Sequence, residues 1–174
     1  MFQAFDNPGP DRSLSRAHWM ALLARAPLGL LESALHEQAM RPARWLRAPE
    51  TGLMMVQGRA GGTGERFNLG EVTVTRCALR VAADSASTAD AGAATVGVAY
   101  VLGRSHRKVQ LAALADALLQ EPAQQPLLNA QLLEPIRAHL RRAQAVRQAR
   151  SASTKVDFFT VARESVSDTE EDSE

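Results

Sequence analysis

The stretch Gly70-Glu71-Val72-Thr73-Val74-Thr75-Arg76-Cys77-Ala78-Leu79-Arg80-Val81 decides the fold. Its apolar and polar residues alternate, which is the period of a strand with one face on a core. The alternation changes phase between Val74 and Cys77, which predicts a bulge or twist near Arg76. Two further strand-like runs flank it, residues 53–59 and 95–102. No helix-length crossover separates any of the three, so antiparallel pairing is expected. Residues 82–94 are small or polar throughout and read as a mobile hairpin loop.

Helical patterns lie on either side. Trp19, Leu22, Leu23 and Ala26 fall at helical spacing after Ser13 and Ser15, either of which suits a helix cap. Pro27 suits the start of a second helix carrying Leu31, Ala34, Leu35 and Gln38. Pro42 and Pro49 bracket Trp45 and Leu46, a pattern that reads as an extended connector. Ser105 is placed to cap a helix reaching about Gln120, with Leu111, Leu114, Ala115 and Leu118 on one stripe. A last helical region, residues 126–150, carries Leu128, Leu132, Ile136, Leu140, Ala143 and Val146 on one side, and Pro135 kinks it or begins a new helix. The expected fold is α+β: a small antiparallel sheet of about three strands packed with N-terminal and C-terminal helices. A single domain over residues 14–163 is expected, with a flexible N-terminus at 1–13 and a disordered tail at 164–174.

Composition narrows the chemistry. The chain has 174 residues, 45% of them hydrophobic and only 5% aromatic, so one largely aliphatic core is expected. The longest charge-free run, residues 91–103, is too short for a membrane span and contains three glycines. No signal-peptide pattern opens the sequence, and a cytoplasmic location is expected. Cys77 is the sole cysteine, which excludes an internal disulfide, and it reads as a small core residue. The net charge of +1 conceals polarity, because six of the 19 acidic residues lie in the last eleven positions with no basic residue among them. The rest of the chain therefore sets 20 basic residues against 13 acidic ones.

The most pointed local feature is the loop Gly58-Arg59-Ala60-Gly61-Gly62-Thr63-Gly64-Glu65-Arg66-Phe67. Its glycines let backbone amides turn toward an anion, and Arg59 and Arg66 would add charge. It lacks the Lys-Ser/Thr ending of a nucleotide-binding loop and joins strand to strand, so a glycine-dependent hairpin or a protein-contact loop is the competing reading. His18, His36, His106 and His139 occur singly, without metal-ligand spacing, and no paired carboxylates of an acid/base kind stand out. The arginines of the last helix are not interleaved with aromatics, and no nucleic-acid-binding motif accompanies them. Taken alone, the chain does not read as a self-sufficient enzyme.

Six segments together resemble a known family: Ala17-His18-Trp19-Met20, Arg47-Ala48-Pro49-Glu50-Thr51-Gly52-Leu53, Gly61-Gly62-Thr63-Gly64-Glu65-Arg66-Phe67, Thr73-Val74-Thr75-Arg76, Tyr100-Val101-Leu102-Gly103-Arg104 and Val156-Asp157-Phe158-Phe159-Thr160. In this order, over residues 17–163, they are similar to the G subunits (PhnG) of the carbon-phosphorus lyase core complex. The resemblance implies an accessory subunit working with the I, H, J and L subunits. The I, H and L subunits are needed with it to displace adenine from ATP by methylphosphonate, giving α-D-ribose 1-methylphosphonate 5-triphosphate. It implies direct contact with the I subunit, to which the nucleosidase chemistry is attributed, and a later bond cleavage by a radical iron-sulfur subunit. No cofactor is expected to bind this chain directly, the complex using MgATP as substrate, and no residue is expected to be catalytic. Arg59, Gly61, Gly62, Thr63, Gly64 and Arg66 form the candidate functional loop. Trp45, Arg104, Asp157, Phe158 and Phe159 form the candidate partner interface. A structural adaptor that assembles the complex without touching substrate is the alternative. The chain departs from the family at Ser105 and Lys108-Val109-Gln110, in its longer 82–94 loop and in its acidic tail.

Overall fold

The protein is described by a computed structural model covering residues 15–40, 43–82 and 94–156. The flexible N-terminus, most of the 82–94 loop and the acidic tail expected from the sequence lie outside these residues. So do Asp157, Phe158 and Phe159 of the expected partner interface. The order is α1 (Arg16–Arg25), α2 (Leu28–Ala34), β1 (Ala43–Arg59), β2 (Arg66–Ala82), β3 (Ala94–Leu102), α3 (His106–Leu119), α4 (Gln125–Leu128) and α5 (Glu134–Ala152). A π-helical turn at Asn129–Leu133 joins α4 to α5, and Pro135 sits in the first turn of α5, where its missing amide hydrogen costs little. Among the described residues no helix is long and apolar enough to cross a membrane.

The strands form an antiparallel sheet in the order β1-β2-β3. The sequence expectation of an α+β fold with about three antiparallel strands therefore holds, with two corrections. The segment read as a connector between Pro42 and Pro49 is strand: β1 starts at Ala43, opposite Val81, rather than at Leu53. Proline is tolerated there because β1 is an edge strand with one row of amides unpaired by the sheet, and the register shifts between Arg47 and Glu50 around Pro49. The expected bulge near Arg76 is likewise carried by β1. Strand β2 pairs with β3 without a break from Val74 opposite Leu102 to Ala82 opposite Ala94. What changes phase is the hydrophobicity. Thr75, Cys77, Leu79 and Val81 all lie buried on one face, and Val74 lies on the other.

Helix α3 explains that burial. It lies on the sheet, and every residue from Leu111 to Leu119 is buried, so it is covered on its far side by α1, α2 and the α4 region. Such a helix needs no amphipathic pattern, and residues 111–119 are all Ala or Leu except Asp116. Ser105 caps it, its hydroxyl accepting from the Lys108 amide at 3.3 Å. The helix approaches β3 so closely that a Cβ on Gly97 would stand 1.9 Å from the Ala113 carbonyl oxygen. Cys77 is core, as expected, with burial pushing its thiol up to about 11.

One charged group is enclosed with the aliphatic residues. The carboxylate of Asp116, 0% exposed, accepts from Arg16 Nε at 3.1 Å and Nη2 at 2.8 Å, from Trp19 Nε1 at 2.9 Å and from the Val98 amide at 2.9 Å. Next to it the Val96 carbonyl accepts from Gln120 Nε2 at 2.8 Å and from Arg16 Nη2 at 3.3 Å. The outer edge of β3 is thus occupied by side chains of α1 and α3, which blocks another strand from pairing there. Replacing one partner of such a cluster leaves buried donors unsatisfied. Asp116→Ala is expected to lower the free energy of unfolding by about 3 kcal/mol. Urea denaturation followed by tryptophan fluorescence measures this, and a loss below about 1 kcal/mol would show the cluster to be dispensable.

Candidate functional site

Strands β1 and β2 are both longer than β3. Strand β3 ends at Leu102, opposite Val74, whereas the β1-β2 ladder continues from Leu53 opposite Thr73 to Arg59 opposite Arg66. The excess is a two-stranded arm projecting beyond the helical layer for seven residue positions, roughly 23 Å at strand rise. An isolated hairpin of this kind is marginal in water, so something must hold its root.

The root is held by a chain of hydroxyls on the face turned toward α3. Thr75 Oγ1, buried, donates to the Gly103 carbonyl at 2.6 Å. Its only proton is committed, so it accepts from Thr51 Oγ1 at 3.0 Å. Thr51 then accepts from His106 Nε2 at 3.1 Å, which fixes the imidazole proton on Nε2. The Gly103 amide donates to the Thr73 carbonyl at 2.9 Å, with Gly103 at φ +94°, a conformation that suits glycine. On the opposite face Glu50 Oε1 bridges Arg47 Nη1 and Arg76 Nε, both at 2.7 Å. Those two guanidiniums hold the Glu50 carboxyl below its usual range.

Beyond the root, the face that is buried in the body continues with nothing over it. Leu53 (65% exposed) and Met55 (48%) stand there, while Met54 (48%), Leu69 (63%) and Phe67 (48%) share the reverse face. The bulge midway, at Gly70 with φ +147°, is carried by β2, so β1 keeps its alternation and Gly58 lies on the face of Met54. A Cβ on Gly58 would stand 3.0 Å from Leu69 Cδ1 and 3.5 Å from Phe67 Cζ, which puts both side chains on that face. Met54, Leu69 and Phe67, with partly buried Val56 beside them, form an exposed apolar ladder of the kind that marks an interaction surface.

The glycine loop forms the tip. The amides of Thr63 and Gly64 both donate to the Ala60 carbonyl, and the Ala60 amide donates to the Glu65 carbonyl at 3.2 Å. Gly61 and Gly62 take positive φ of +58° and +83°, and a Cβ on Gly64 would stand 2.6 Å from the Ala60 oxygen. The glycines thus close a tight turn whose inward amides serve the turn itself. Arg59 Nη1 donates to the Gly64 carbonyl at 3.3 Å, while Arg66 has no ion-pair partner among the described residues. Arg59 and Arg66 face each other across the last pair of the ladder.

The candidate residues are therefore not one site. The loop residues Arg59, Gly61, Gly62, Thr63, Gly64 and Arg66 cluster at the tip. Arg104, exposed, follows β3 near the root. Trp45, opposite Leu79, lies fourteen positions along β1 from Arg59, roughly 45 Å at strand rise. The apolar ladder was missed in the sequence, although Leu53-Met54-Met55 and Phe67-Asn68-Leu69 flanking one glycine loop are the signal for it. The hydroxyl chain was missed as well, because Thr51, Thr75 and His106 are far apart in sequence. Among the described residues no group of three or more His, Cys, Asp or Glu is placed to hold a metal ion.

Comparison with known proteins adds an independent line. The family model described as "Phosphonate metabolism protein PhnG" matches residues 14–164. A curated relative from Rhizobium meliloti (strain 1021), alpha-D-ribose 1-methylphosphonate 5-triphosphate synthase subunit PhnG, is 40% identical over 149 residues, which cover 85% of this chain and 88% of the relative. The match extends over helices, sheet, arm and tip alike, and the chain belongs to the PhnG family of phosphonate metabolism proteins.

Proposed function

We propose that this chain is an accessory subunit of an α-D-ribose 1-methylphosphonate 5-triphosphate synthase and that the arm is its means of engagement. Support comes from the relative's name and from the uncovered apolar ladder Met54, Leu69 and Phe67. An arm that exposes large apolar side chains beyond its own helices is incomplete in solution, and a second protein is the natural cover for it. The nucleosidase-like I subunit is the proposed direct partner, with the H, J and L subunits in the same system.

The tip then has a role that its exposed position on an isolated chain would not explain. Two arginines directly across a ladder repel each other, and an anion between them turns that cost into attraction. Arg59 and Arg66 are proposed to meet the triphosphate or phosphonate of the substrate, in a cavity formed with the partner. Methylphosphonate must be held in line with the ribose carbon from which adenine departs, and water must be kept away, or hydrolysis replaces transfer. This chain supplies positioning and closure in that scheme. MgATP is proposed to act as substrate of the complex rather than as a cofactor of this subunit.

Two experiments separate docking from chemistry. The double variant Met54→Glu, Leu69→Glu is expected to keep the circular dichroism of the parent. Its affinity for the I subunit in size-exclusion or interferometry experiments is expected to fall by about a hundredfold or more, since each side chain forfeits roughly 1.5 kcal/mol of burial. Unchanged co-elution would remove the ladder from the interface. Arg66→Ala is expected to leave assembly intact and to lower formation of the ribosyl phosphonate triphosphate by about tenfold or more, with I, H and L subunits present. Full turnover in that variant would leave the structural adaptor as the reading of this subunit.

A further inference from the structure

Helix α5 is covered only in its first half. Ile136 is buried and Leu140 packs partly against the core, but from Arg141 to Ala152 every residue except Ala143 is exposed. One side of this free half carries Arg142, Val146 and Arg150 at i, i+4 and i+8, with Arg147 beside them. Val146 is 68% exposed among these three guanidiniums. None of the three has an ion-pair partner among the described residues, and no carboxylate occurs from Pro135 to Val156. A helix of like charges standing clear of the body repels itself and attracts any anionic surface.

The chain holds its own complement. Glu164, Asp168, Glu170, Glu171, Asp172 and Glu174 fall within the last eleven residues, with no basic residue among them, and Glu164 and Asp168 flank Val166. Residues 153–163 tether this segment to the end of α5. Eleven residues reach up to about 36 Å, and the free half of α5 is only about 18 Å long. The acids can therefore reach each of the three arginines. The tether also keeps them at an effective concentration on the order of millimolar, so several individually weak pairs act together.

We propose that the acidic segment 164–174 folds back onto the Arg142, Val146, Arg147 and Arg150 face of α5 and masks it. The contact is intramolecular and electrostatic, and it keeps the basic helix from other anionic surfaces until a partner displaces the segment.

A nitroxide attached to a cysteine introduced by Ser173→Cys in the full-length chain tests this. Cys77 stays unlabelled because it is buried and its thiol is pushed up to about 11. At roughly 20 mM salt the label is expected to broaden the amide resonances of residues 142–150 at least about twofold more than those of the arm. The effect is expected to vanish at about 0.5 M salt, where screening falls to a few ångströms. It is also expected to vanish in the triple variant Arg142→Glu, Arg147→Glu, Arg150→Glu, all of whose positions are exposed. Absence of broadening on α5 would overturn the proposal, as would broadening centred on Arg59 and Arg66. So would equal broadening in a mixture of isotope-labelled chains without nitroxide and unlabelled chains carrying it, which places the segment on a second copy.

Discussion

The Asp116 carboxylate is the fixed point of this structure. A buried charge is tolerated only when its lone pairs are filled, and here four donor hydrogens from α1 and β3 converge on it. That requirement sets Arg16 and Trp19 against α3, draws the Val98 amide off the edge of β3 and closes that edge. With Gly97 letting α3 approach the sheet, the body is packed on one face and sealed on one side. The sheet can then extend only through β1 and β2, and it does so as the arm.

The arm inherits its chemistry from the body. Alternation along β1 continues past the end of β3, so Leu53 and Met55, which would be core within the body, become surface beyond it. The β2 bulge sets Leu69 and Phe67 on the reverse face with Met54. The hydroxyl chain Thr75, Thr51 and His106 fixes the root where helix cover stops, and the glycine turn fixes the tip. An apolar face thus lies between two rigid ends, and it carries a pair of opposed arginines outward. The chain belongs to the PhnG family, and its Rhizobium meliloti relative is described as a synthase subunit.

Much of the fold was legible because it follows from local rules. Alternation in residues 70–81 and 95–102 marked the strands, Ser105 marked the start of α3, and the lack of a crossover marked the antiparallel order. The connector reading between Pro42 and Pro49 failed because a proline signals the end of a strand only when both edges must pair, and β1 has one free edge. Asp116 was invisible as a structural centre, since its partners lie up to 100 residues away in sequence. The tip residues were legible as a group, being consecutive. The ladder beside them was not, because alternation says that a face is apolar and cannot say whether another element covers it.

Backbone hydrogen exchange of this chain, alone and assembled with the I, H and L subunits, tests the central claim most directly. Amides of residues 53–59 and 66–73 are expected to exchange quickly in the isolated chain and to slow by about tenfold or more on assembly, with little change in α3, which is already buried. Equal exchange of the arm in both states would show that its apolar face remains uncovered in the complex and would contradict the account.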